Sequence, residues 1–155
     1  MASKKPMRTF LLTLFATILL TGTAFAQRNV TPAIERDPVM EADAKHNLDV
    51  ARQAFLPLRK AYKQVILRFD ETYAAYPDFS QIDEFLYLGA MSSWYLSEGK
   101  GKQAVDLKSE KEKDRFAPAK LREDAVRYLT ELIDKYPQSK FRPDAEKALA
   151  TLKAK

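Results

Sequence analysis

Cysteine is missing from the 155 residues and histidine occurs once, at His46. Without thiols there is no disulfide framework, so the fold rests on packing alone. The same two scarcities leave nucleophilic chemistry with at most one imidazole base and no thiolate. Glycine occurs four times, and the best candidate for a phosphate-cradling loop is Gly99-Lys100-Gly101-Lys102. A Walker loop needs a glycine where Leu96 stands and a serine or threonine where Gln103 stands, so nucleotide binding is not expected. A zinc site draws several His or Cys ligands. His46, with Asp43 and Asp49 three residues to either side, therefore reads as a surface or capping histidine. Carboxylate pairs such as Asp83 with Glu84 and Glu110 with Glu112 read as solvated helix surface. The sequence thus calls for no catalytic residue, no cofactor and no metal, and an enzyme is not expected.

One apolar run stands out. Lys4, Lys5 and Arg8 precede Phe10 to Leu20, and Ala24-Phe25-Ala26 follows, which is the order of a secretory signal peptide cut after Ala26. Thr13 and Thr17 interrupt the run, and it falls short of the roughly 20 residues that span a bilayer. The expectation is an exported, periplasmic protein with its signal at 1–26. The full chain carries 26 basic against 21 acidic residues, but three of the positives lie in that signal, and the remainder is nearly balanced. The densest charged run, Lys108 to Arg115, alternates in sign, which marks a solvated segment and not a polyanion-binding face. No nucleic-acid partner is expected. With no cysteine to acylate, no covalent lipid anchor is expected either.

Residues 27–39 contain Pro32 and Pro38 without sustained periodicity and read as a disordered leader. From residue 40 to 155 the pattern is helical throughout, and the alternation that strands require is absent. Ala44, Leu48, Ala51 and Phe55 mark a first helix, stopped by Pro57. Tyr62, Val65, Ile66, Phe69, Tyr73 and Tyr76 mark a second, closed by Pro77. Ser80 with Asp83 suggests a capping box for a third helix, in which Ile82, Phe85, Leu86, Leu88, Met91, Trp94, Tyr95 and Leu96 cover more than one face. Such a helix should be contacted from both sides. Gly89 in its middle costs roughly 1 kcal/mol against Ala unless a neighbour crosses closely there. After a charged insertion at 99–119, Leu121, Ala125, Tyr128, Leu129, Leu132 and Ile133 mark a fourth helix ending at Tyr136-Pro137. Phe141, Ala145, Ala148 and Leu152 mark a fifth, with Pro143 tolerable only in its first turn.

The second and third helices resemble the fourth and fifth. Tyr62, Phe69, Tyr76 and Pro77 define one unit, and Leu129, Tyr136 and Pro137 the other. Units of this kind bury their apolar faces by stacking on each other, and the product is a binding surface. The fold expected is an all-α, short tetratricopeptide-like hairpin array of about five helices. Tyr87, Trp94 and Tyr95 are the candidates for lining a partner groove, although aromatic residues at helical spacing are more often core.

The stretch Arg59 to Leu96, RKAYKQVILRFDETYAAYPDFSQIDEFLYLGAMSSWYL, resembles a tetratricopeptide-type unit of the BamD family, helical lipoproteins of the outer-membrane β-barrel assembly machinery. Arg122 to Leu149, REDAVRYLTELIDKYPQSKFRPDAEKAL, resembles another. The resemblance implies a periplasmic, non-enzymatic scaffold that binds protein partners, outer-membrane assembly components among them. A soluble repeat adaptor of cell-wall or division machinery, and a small-ligand binder or hydrolase on a helical scaffold, stand as alternatives. The oligomeric state is left open.

Overall fold

The computed structural model describes residues 35–106 and 108–154. The expected signal peptide with its cleavage residues Ala24 and Ala26, and the part of the expected leader before residue 35, lie outside the described residues. Helix α1 (Pro38–Phe55) is opened by Asp37, whose side chain accepts from the backbone N–H of Val39 at 2.8 Å and of Met40 at 3.3 Å. Pro38 occupies the first turn, where its missing N–H costs nothing. This Asp-Pro start lies two residues ahead of the boundary that apolar spacing suggests, because the cap is polar and Val39 is exposed.

Among the described residues five more helices follow: α2 (Tyr62–Ala75), α3 (Ile82–Ser97), α4 (Glu110–Arg115), α5 (Pro118–Lys135) and α6 (Arg142–Lys153). The charged insertion thus contributes a sixth, α4, which has no buried residue and so no apolar period to betray it. Its start is instead held by the Ser109 hydroxyl, which accepts from the Glu112 N–H at 3.4 Å.

Hairpins α2–α3 and α5–α6 are closed by the same turn. In the first, Tyr76 N–H donates to Thr72 O, Phe79 N–H to Tyr76 O, Ile82 N–H to Phe79 O and Phe85 N–H to Gln81 O. Sixty residues on, Tyr136 donates to Leu132, Ser139 to Tyr136, Arg142 to Ser139 and Ala145 to Phe141. The proline after each tyrosine ends the helix and fixes this register. The two units differ inside the turn. Phe79 is buried in the core, whereas Ser139 at the matching place donates its hydroxyl to Asp83 at 2.6 Å. Ser80 does not form the expected capping box; its N–H donates to the Glu41 carboxylate of α1, and Gln81 precedes the helix without a side-chain cap.

Helix α3 is the centre. It packs against α2 on one side and α5 on the other, α1 covers α2 and α3, and α6 closes on α5. Gly89 is where α2 crosses: a Cβ there would sit 2.9 Å from Phe69 Cγ. The Phe69 ring is itself held edge-on by Phe85 at 5.6 Å and by Tyr128 of α5 at 4.6 Å. Phe69 and Leu129 are both fully buried, as are Val65, Phe85, Leu86, Ala125 and Leu132. These faces make one continuous apolar core across both hairpins. The outer face of α6 carries Glu146, Lys147 and Lys153, so the array ends on a polar helix surface.

Candidate protein-binding surface

At the end of the array opposite the two Tyr-Pro turns, Phe55, Pro57, Lys60, Tyr62, Tyr95 and Lys100 line a cup of about 500 Å³. Its construction is local. Pro57 ends α1, Leu56 turns extended, and the chain doubles back through Arg59 N–H and Lys60 N–H, both donating to Leu56 O, with Lys60 in the left-handed region at φ 46°. The last residue of α1 and the first of α2 are thereby brought together, with the Phe55 and Tyr62 rings 5.6 Å apart. Tyr95 arrives from α3, 5.2 Å from Tyr62 and 6.1 Å from Phe55.

The α3 terminus forms the opposite rim. Gly99 takes φ 70°, its N–H donates to Leu96 O, and the N–H of Lys100 donates to Tyr95 O, the paired bonds of a Schellman ending. Gly101 then passes close to Tyr62 and Leu96, with room for a Cβ only at 3.1 Å from Leu96. Lys100 is placed over the Tyr95 ring at 5.4 Å and pairs with Glu98 at 2.6 Å. Burial pushes the Tyr62 phenol above its ordinary pKa, and the neighbouring Tyr95 adds to the shift while Lys100 opposes it. The cup therefore offers flat apolar walls, with Lys60 and the Lys100–Glu98 pair on its rim. Such a site fits an apolar side chain on an extended or acidic peptide segment.

Tyr87, Trp94 and Tyr95 are not gathered into one groove. Tyr95 lines the cup, while Trp94 stacks against Tyr95 at 6.0 Å and donates its indole N–H to Glu98. Tyr87 lies two turns of α3 away from Trp94, stacked on Phe141 at 5.2 Å. Among the repeat-defining residues, Phe69, Tyr62 and Leu129 are buried, and Tyr76 and Tyr136 are partly buried at the turns. Sequence spacing missed the cup as a unit, because its lining comes from two segments far apart in the chain, 55–62 and 95–100. Phe55 two residues before the Pro57 break was the signal at hand.

The insertion meets the seam between α2 and α5. Arg115 binds Asp70 of α2 through Nε at 2.9 Å and Nη2 at 2.7 Å, and its Nη1 reaches Asp124 of α5 at 2.9 Å. Lys63 reaches Glu112 at 2.6 Å, and Phe116 is buried with Ile66 and Leu121. Burial pushes Asp70 above its ordinary pKa against the pull of Arg115. On the same seam Tyr73 donates its hydroxyl to Glu131 at 2.8 Å, and burial pushes the Tyr128 phenol up to about 12. Carboxylates here are held by arginines, lysines and a tyrosine hydroxyl of the fold, which is structural chemistry.

The sequence model of one family, YfiO, described as an outer membrane lipoprotein, matches residues 24–155. The chain belongs to this family. The match spans both hairpins and the insertion, and the all-helical array is the fold that the resemblance to BamD-type repeats implies. No curated protein matches the chain, and no solved structure does. Family membership corrects one expectation. Lipoproteins carry a covalent lipid, so the description of the family overturns the expectation of no covalent lipid anchor. That expectation stood on the absence of cysteine from the 155 residues.

Proposed function

We propose that this YfiO-family protein is a non-enzymatic helical-repeat scaffold that binds protein partners on the periplasmic side of the outer membrane, in the assembly of outer-membrane proteins. The match of the outer membrane lipoprotein family over residues 24–155 carries this reading. The geometry supports it: α1 and the first hairpin present an aromatic cup with Lys60 and Lys100 on its rim, while the acidic groups on the α2–α5 seam are occupied by Arg115, Arg127 and Tyr73. The cup, centred on Tyr62 and Tyr95, is the place where a partner's apolar side chain would dock.

The test is crosslinking of intact envelopes followed by pull-down. Outer-membrane assembly components are expected with the wild-type chain, and reduced recovery with Tyr95→Ala. Removal of an aromatic anchor from a binding pocket typically weakens association by about 2 kcal/mol or more. Failure to recover any such component, under conditions that recover a known member of that machinery, sinks the reading.

A further inference from the structure

The turns that build the cup also carry an outward surface, which shares Lys60 and Lys100 with the cup's rim. Leu58 is 86% exposed and Leu56 52%, side by side in the α1–α2 turn. Around them stand Arg59, Lys60, Lys100 and Lys102, with Glu98 the one carboxylate between residues 56–60 and 98–102. Two bonds clamp these turns together: the Lys102 N–H donates to Lys60 O at 3.0 Å, and the Lys102 ammonium donates to Leu58 O at 2.8 Å. Arg59 and Lys60 enter none of the ion pairs formed among the described residues. The same turns carry Phe55, Tyr62 and Tyr95, and a tyrosine, with a polar hydroxyl on an apolar ring, suits a boundary between apolar and polar media.

Two leucines on a tight turn are far too little for a stable protein interface, which takes about 800 Å² per partner and is poor in lysine at its core. They are enough for the headgroup boundary of a bilayer, where shallow apolar insertion and cations act together. No helix among the described residues is long and apolar enough to cross a membrane, so such contact is peripheral. Resting on the reading that this protein works at the outer membrane, we propose that this end of the array docks on an anionic phospholipid surface. Leu56 and Leu58 insert at the acyl boundary, and Arg59 and Lys60 meet the lipid phosphates, beside Lys102, whose ammonium holds Leu58 O, and Lys100, which is paired with Glu98.

Vesicle co-sedimentation of the processed protein tests this. Vesicles with about 30% phosphatidylglycerol should bind it about tenfold more tightly than phosphatidylcholine alone, and salt should erase the difference. Leu58→Asp should weaken binding about tenfold, and joint Arg59→Glu and Lys60→Glu should abolish the preference for anionic lipid. These side chains are outside the core, so the melting temperature should stay put and report that the variants fold. Binding that is indifferent to phosphatidylglycerol, or unchanged in Leu58→Asp, overturns the proposal. Envelope fractionation separates the two readings. A wild-type chain absent from outer membranes defeats the functional reading, whereas a chain present there without vesicle binding defeats the lipid surface alone.

Discussion

Gly89 shows how one missing side chain sets a helix crossing. In an exposed helix, Gly→Ala gains roughly 1 kcal/mol. Here the new methyl would enter the Phe69 ring, 2.9 Å away and itself held by Phe85 and Tyr128. Overpacking of this kind costs about 1 to 3 kcal/mol, so Gly89→Ala is expected to lower the urea midpoint; a raised midpoint would show that α2 and α3 have slack between them. Truncation tests the opposite fault. Leu129→Ala should cost about 2 to 5 kcal/mol and Phe69→Ala about 3 to 5, and an unchanged midpoint would mean these side chains are not core. The glycine's close neighbour was legible from its place in an apolar helix, but Phe69 as that neighbour was not, since nothing in local spacing says which ring crosses.

Among the elements, the charged insertion departs most from what periodicity reveals. Alternating charge marks a solvated segment, yet α4 is pinned to α2 and α5 by Arg115 and Lys63. Those pairs join residues up to 49 apart, such as Lys63 with Glu112, and no local pattern encodes them. Removing Arg115 leaves Asp124, whose side chain is only 8% exposed, without its longer-range cation. Arg115→Ala should therefore cost about 2 to 3 kcal/mol. Arg115→Met combined with Asp70→Asn and Asp124→Asn should recover much of that, as paired removal of buried charge does. A triple variant no more stable than Arg115→Ala would show that packing of Phe116, and not charge pairing, holds the insertion. The hairpins behave differently: Tyr76-Pro77 and Tyr136-Pro137 announce their turns in sequence, and the hydrogen bonds repeat one for one.

For the molecule as a whole, the docking of α1 on the first hairpin contributes a pH dependence. Arg52 holds Glu84 with bonds of 2.6 and 2.8 Å, and chiefly through those bonds it keeps the Glu84 carboxyl below its ordinary value of 4.5. A carboxylate with a lowered folded-state pKa stabilises the fold above that ordinary value, and the contribution fades as pH falls through the folded one. The urea midpoint should drop as pH falls below the ordinary Glu84 value of 4.5, and Glu84→Gln should flatten that drop; an equally steep drop in the variant would assign the acid sensitivity elsewhere. The sequence by itself determined the all-α class, the two Tyr-Pro turns and the apolar stripes, because backbone restriction by proline and side-chain period are local properties of the chain. Only tertiary structure decided that Phe55, Tyr62 and Tyr95 would share one cup, that Tyr87 would stack on Phe141 instead, and that Arg115 would join α2 to α5. Each of these depends on how helices distant in sequence cross, and crossing is set by the summed fit of side chains such as Gly89 and Phe69 across the whole core.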